Sequence, residues 1–170
     1  MKLFTGKIPV IATEIIRTLS AAGDIELNDA KEAQLDVESV LKEQIRMDRE
    51  ITDRAKDELE QKRLPYEQFG KIKRRMAEER DFGVGDESIN WITTQLLETF
   101  MHSQHVDEVF AEDTVMRRKI REILRKHMAV DSELDEEVRR RIKNLVEGTA
   151  TWDVEYTRVM EQMKRTRGVE

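Results

Sequence analysis

An all-α protein of about eight helices, arranged as two pseudo-repeated helical units, is the fold this sequence predicts. Three features predict it. The first is an internal repeat: I-P-V-I-A-T-E-I-I-R-T-L from Ile8 returns as I-N-W-I-T-T-Q-L-L-E-T-F from Ile89, an offset of 81 residues. Further on, I-R-M-D-R-E-I-T-D-R-A-K returns as M-A-V-D-S-E-L-D-E-E-V-R, with Asp48 opposite Asp131 and an offset of 83, so the second copy carries two extra residues between the blocks. A repeat sets architecture before any motif does. The second feature is composition: 39% charged, 5% aromatic and two prolines, which suits surface-rich helices and disfavours a β-sandwich. The third is that the apolar residues fall at helical spacing, which separates the chain from a disordered one.

The elements follow in order. A first helix is expected from about Lys7 to Ala22, with Pro9 early, where a missing N–H costs nothing. Ile8, Ile11, Ile15 and Leu19 share its apolar face, and Gly23 and Asp24 end it. Asp29 is an N-cap type residue for a second helix burying Ala33, Val37, Val40, Leu41 and Ile45. Asp48 is read as a turn before a third helix with Ile51, Ala55 and Leu59, and Pro65 breaks that helix. A fourth, Tyr66 to Arg80, presents Phe69, Ile72 and Met76. The run D-F-G-V-G-D-E holds two of the seven glycines and reads as a linker. In a kinase D-F-G would bind magnesium, but the accompanying kinase motifs are missing. The second copy repeats the order: Ile89, Ile92, Leu96 and Phe100, then Met116, Ile120, Ile123 and Leu124, then Leu134, Val138 and Ile142. Gly148 breaks the chain where Pro65 did, and Trp152 stands at the place of Phe69. The units are therefore residues 1–80 and 88–170, joined by 81–87. Each is near the low end of size for an independent core, so the copies are expected to pack together.

Composition also excludes chemistry. Without cysteine there are no disulfides, zinc–thiolate sites or thiol nucleophiles. The N-terminus lacks the apolar core of a signal peptide, and no apolar run approaches the roughly 20 residues of a membrane helix. The expectation is a cytoplasmic protein that needs no cofactor and does not enter membranes. A net charge of −6 argues against general coating of nucleic acid.

The candidate sites are few. His102 and His105 are three apart, a spacing that can set two imidazoles on one helix face for a metal; the bland alternative is a polar helix end, since Ala21 and Asp24 stand there in the first copy. His127 shares a face with Met116, Ile120 and Ile123, as a hydrogen-bonded residue at a core edge would. Asp135, Glu136 and Glu137 precede Arg139, Arg140 and Arg141 by four, which reads as structural i,i+4 ion pairs. No phosphate loop, nucleophile elbow or zinc-protease motif is present. Trp152 and Tyr156, four apart with Asp153 between them, fit either a partner-binding hot spot or a core role like that of Phe69.

The sharpest signal is a reversal of charge. Between Val115 and Met128 the chain carries Arg117, Arg118, Lys119, Arg121, Arg125 and Lys126 against Glu122 alone. The matching span, Glu32 to Ile45, carries Glu32, Asp36, Glu38 and Glu43 against Lys42. Asp36, Glu38 and Glu43 align with Lys119, Arg121 and Lys126. Either the basic helix lies near the acidic one of the other copy, or it meets nucleic acid, with Arg117, Arg121 and Arg125 tracking phosphates, or it is a solvated face. The pairing reading ranks first. Sparse aromatics on the basic flank place nucleic acid behind it.

Three stretches carry a resemblance to a known family. L-D-E-E-V-R-R-R-I-K, then G-T-A-T-W-D-V-E-Y, and the opening M-K-L-F-T-G-K-I-P-V-I-A resemble the bacterial domain-of-unknown-function family five-oh-seven. Members of that family are typically one unit of about half this length, so the chain resembles two fused tandem units. The first copy has Phe69-Gly70-Lys71-Ile72-Lys73 in place of W-D-V-x-Y, so any role of that block belongs to the second copy. The resemblance implies a small, helical, bacterial, cytoplasmic protein and no particular activity. The sequence thus leads to a non-enzymatic interaction or scaffold module that binds a protein partner or itself. The alternative is a nucleic-acid-associated accessory protein using the helix at 115–128. A metal-dependent enzyme at His102 and His105 is more distant.

Overall fold

The apolar run opened by Pro9 forms α1 (Ile8–Ala21), which buries Ile8, Ile11, Ala12, Ile15, Ile16 and Leu19. In this computed structural model, which describes residues 2–168, the outer bounds of the two expected units, 1 and 170, lie outside the described residues. Gly23, at φ +74°, supplies the left-handed turn that ends α1. A strand follows, β1 (Ile25–Leu27), and then α2 (Ala30–Gln61). Asp29 caps α2: its Oδ1 accepts the Glu32 N–H at 3.0 Å. Arg63 turns left-handed at φ 51°, Pro65 follows, and α3 (Phe69–Glu78) packs back on α2. The order then runs α4 (Ser88–His102), β2 (Val106–Val109), α5 (Asp113–Arg141) and α6 (Ala150–Arg167). Thr149 caps α6 by accepting the Trp152 N–H at 3.3 Å.

The two strands pair antiparallel, Ile25 with Val109 and Leu27 with Val106. This ribbon closes one end of a four-helix body. There α1 packs on α2 and α5, and α4 packs on the same two. One apolar core runs through it from Leu3 to Met128, with Ile11, Ile15, Leu19, Leu41, Ile92, Leu96, Ile120 and Leu124 fully buried. The apolar faces read from periodicity are the faces that pack.

Length creates the second feature. At 1.5 Å per residue α2 spans about 48 Å and α1 about 21 Å, so α2 and α5 run on beyond the body, away from the ribbon. The far half of α2 carries α3 over two small clusters, Ile51 with Ala77 and Phe82, and Ala55 with Leu59 and Ile72. The far half of α5 carries α6 over Leu134, Val138, Ile142, Val159, Met160 and Met163. The result is two arms.

Two expectations change. The described residues hold six α-helices, not eight, because α2 and α5 continue through Asp48 and Asp131. No glycine or proline interrupts either stretch, and both carboxylates find partners: Lys73 Nζ lies 2.8 Å from Asp48, and Asp131 accepts the Phe4 N–H at 3.4 Å. The ribbon is the other difference: strands of three and four residues sit where the sequence reads as loops. The span 81–87 is pinned by Phe82, which is buried and meets Trp91 edge-on with ring centroids 5.0 Å apart.

Candidate functional site

Between the two arms lies a cleft of about 640 Å³. Its α2 wall presents Gln44, Asp48, Thr52 and Lys56 at four-residue intervals, with Ile45 and Arg49 beside them. Residues spaced by four line one face of a helix. Its α5 wall presents Ser132, Asp135, Glu136 and Arg139. The N-terminal segment Lys2–Thr5 edges the cleft and is fastened to α5: the Lys2 N–H donates to Ser132 Oγ at 3.1 Å, and Leu3 is buried.

Trp152 and Tyr156 stack with centroids 5.0 Å apart. The Arg139 guanidinium sits 5.2 Å from the Trp152 ring centroid, and Lys2 Nζ sits 4.9 Å from that of Tyr156. The Tyr156 hydroxyl donates to Asp135 and accepts from Lys2 Nζ at 3.1 Å. Arg139 Nε donates to Asp135 at 2.9 Å, and its other arm donates to Glu147. Burial pushes the Asp135 carboxyl up, but the Tyr156 hydroxyl, Lys2 and Arg139 outweigh it and hold it below the usual range. Burial and the bond to Asp135 push Tyr156 up. Arg139 loses solvation, yet Glu147 and Asp135 hold it charged beyond its ordinary range.

Tyr66 and Phe69 form a second stacked pair, 5.3 Å apart and nearly parallel. Burial, with the nearby Glu147 carboxylate, raises the Tyr66 hydroxyl to about 12. Gly148 touches this ring: a Cβ there would stand 2.7 Å from Tyr66 Cε2. Lys56 Nζ lies 3.8 Å from Asp153 Oδ2. The arms therefore touch at both places, Tyr66 with Gly148 and Lys56 with Asp153.

Gln44, Arg49, Thr52 and Glu136 line the cleft without a side-chain partner among the described residues. Gln44 is 6% exposed, yet its amide makes no hydrogen bond with another described residue. Arg49 is exposed and has no ion pair with a described residue.

Of the residues singled out from sequence, Trp152 and Tyr156 line the cleft, and Asp153 braces its edge. The basic residues lie elsewhere, on the near half of α5. Arg117 donates to Asp113 at 2.6 Å and Thr94 at 3.0 Å. Lys119 reaches Asp24 at 2.5 Å, and Lys126 reaches Glu14 at 3.0 Å. Arg121 holds a buried Nε without a partner, and Arg125 is exposed. The sign-reversed residues do not meet. Asp36 takes the Ser103 hydroxyl at 2.5 Å, Glu38 takes Lys42 at 3.5 Å, and Glu43 takes Arg46 at 2.6 Å. The acids facing α5 come from α1 and the turn after it, not from α2. His102 ends α4 while His105 lies in the following turn, so one helix face does not carry both. Among the described residues no three acidic or histidine side chains group around a metal-sized space, and no helix is long and apolar enough to cross a membrane. His127 is buried, with Nε2 2.5 Å from Glu14.

Sequence reasoning missed Lys2, Gln44, Arg49, Tyr66 and Glu147 as members of one site. The one signal available was the polar stripe Gln44, Asp48, Thr52, Lys56, which resembles any solvated helix face.

The model of the family described as Protein of unknown function (DUF507) matches residues 1–169, and the chain belongs to that family. No curated protein matches it.

Proposed function

We propose that this member of the DUF507 family is a non-enzymatic interaction module of the bacterial cytoplasm, and that a protein partner docks in the cleft between its arms. The observation that carries this reading is the cleft itself: two stacked aromatic pairs border a space into which the Gln44 amide opens with no side-chain partner. Aromatic and arginine side chains in a partly enclosed space are what interface anchors use.

The electrostatics speak for binding over catalysis. A group poised for acid–base work needs a pKa near the working pH. Every resolved shift lining the cleft goes the other way: Asp135 down, Tyr66, Tyr156 and Arg139 up.

The two halves, 1–80 and 88–170 joined by 81–87, are read as fused tandem copies of one unit. The repeated blocks and the repeated order of helix, strand, long helix and helix support this. The arms are then equivalent parts of the two copies, and the cleft exists only where both are present.

A photo-crosslinking residue at Thr52 in the cleft, beside a control at Glu108 on the ribbon, tests the docking reading in cells. Adducts with a protein or a second copy of this chain at Thr52 alone support it. Equal adducts at both positions, or none at Thr52, remove it.

A second reading has one observation in its favour. On α5, Arg118, Arg121 and Arg125 have no acid partner among the described residues, while Arg117, Lys119 and Lys126 do. Spaced i, i+3, i+7, the three share a face that could bind nucleic acid. It predicts salt-sensitive binding of a 20-nucleotide strand or duplex. No binding at low salt removes it.

A further inference from the structure

We infer that the cleft takes an extended, acidic peptide segment of its partner, with the peptide backbone on Gln44 and acidic side chains on Arg49 and Lys56; this rests on the docking reading above. A primary amide offers one carbonyl acceptor and an NH₂ donor, the complement of a peptide group. Gln44 is 6% exposed and bonds no described residue, yet its amide atoms remain open to the cleft, so whatever fills the cleft, water or ligand, must satisfy them. A backbone running along α2 satisfies both ends of that amide.

The dimensions agree. Gln44 to Lys56 spans about 18 Å along the helix axis, the length of five or six residues in extended conformation. Alternate side chains of such a strand face opposite walls. Those facing α2 meet Arg49, which has no ion pair, and Lys56, whose pair with exposed Asp153 is loose at 3.8 Å. Asp48 on the same wall is already taken by Lys73 at 2.8 Å. Those facing the opposite wall meet Trp152 and Tyr156 of α6, with exposed Glu136 of α5 rejecting carboxylates from that side.

The cleft's charge favours a peptide over a polyphosphate. It is lined by five cations and four carboxylates, on a chain of net charge −6. A phosphodiester strand, charged at every unit, would meet Asp135, Glu136 and Glu147, whereas a peptide places charge only where it is wanted.

The test is selection of displayed random 12-residue peptides on the full chain. Binding of the selected peptides is then measured by fluorescence anisotropy against wild type, Gln44→Leu, Arg49→Glu with Lys56→Glu, and Thr52→Trp, which blocks the cleft. The expected pool is rich in Asp and Glu, and Thr52→Trp abolishes its binding. Gln44→Leu weakens binding roughly tenfold without lowering the melting temperature, since no hydrogen bond of the fold is removed. The double charge reversal loses these peptides and, panned by itself, selects Lys- and Arg-rich ones. Peptides blocked by Thr52→Trp but without acidic bias, or indifferent to the charge reversal, overturn this inference and leave the docking reading standing. No peptide, or none sensitive to Thr52→Trp, overturns both.

Discussion

His127 Nε2 lies 2.5 Å from Glu14 Oε2, fastening the middle of α5 to α1 from a buried imidazole. That hydrogen bond is the largest cause holding the Glu14 carboxyl below its usual range; burial opposes it and Lys126 adds to it. A depressed carboxylate contributes stability that is present above its unfolded pKa and lost as pH falls through the folded one. Glu14→Gln is therefore expected to cost about 1–2 kcal/mol at pH 7, with little from exposed Lys126. The gap to wild type should close as pH falls through the lowered carboxyl pKa. Urea unfolding at pH 7 and in acid checks this, and a gap that persists in acid would falsify the ionised Glu14 carboxylate as its origin.

Asp131 should behave in the opposite sense. It is fully buried, its Oδ1 has no hydrogen bond, and Lys7 Nζ stays 3.9 Å away. Burial pushes its carboxyl up, outweighing Lys7 and the Phe4 N–H. A raised carboxyl contributes stability below its unfolded pKa and loses it as pH rises through the folded one. At pH 7 the charge is thus a burden. Asp131→Asn keeps an acceptor for Phe4 and should stabilise by about 1 kcal/mol at pH 7, less near pH 4. A destabilised variant at pH 7 would show that Lys7 outweighs burial.

Two glycines separate strain from contact. Gly23 (φ +74°) faces open space, whereas Gly148 (φ +88°) faces the Tyr66 ring. Gly23→Ala should cost about 1 kcal/mol, the left-handed strain alone. Gly148→Ala should cost about 2–3 kcal/mol, because overpacking is added. Equal losses in thermal melts would mean that Tyr66 swings away freely from Phe69.

Both tyrosines should resist ionisation while the protein is folded. Burial is the first cause for each, with Tyr66 raised to about 12 and Tyr156 raised further by its bond to Asp135. Raised phenols contribute stability below about pH 10 and lose it as pH climbs through their folded values. Absorbance at 295 nm should stay flat through pH 10.5 and rise with alkaline unfolding. An earlier rise in the folded protein would contradict the buried Tyr156–Asp135 bond.

The sequence makes the core legible and the cleft mostly not. Apolar periodicity identifies Ile92, Leu96, Ile120 and Leu124, because burying apolar surface enforces one face per helix. Asp48 reads as a turn because aspartate is a weak helix former, but no glycine or proline interrupts the stretch and α2 passes through it, with Lys73, 25 positions away, pairing with the carboxylate. The ribbon escapes because Ile25 gains a partner only from Val109. In the cleft, Trp152 and Tyr156 stand out as aromatics in a chain that has few. Gln44 and Arg49 look like solvated helix residues until the arms enclose one and leave the other unpaired.

The closure of the ribbon also bears on the birth of the chain. A ribosome releases α1 and α2 first, yet the helices that cover Ile15, Leu19 and Leu41 are complete only when Met128 has emerged. At roughly 5–20 residues per second, that apolar surface waits on the order of ten seconds. A nascent chain stalled between Gly85 and Met128 would be a sticky hairpin, open to chaperones and proteases, and the finished protein escapes both only when its last long helix arrives.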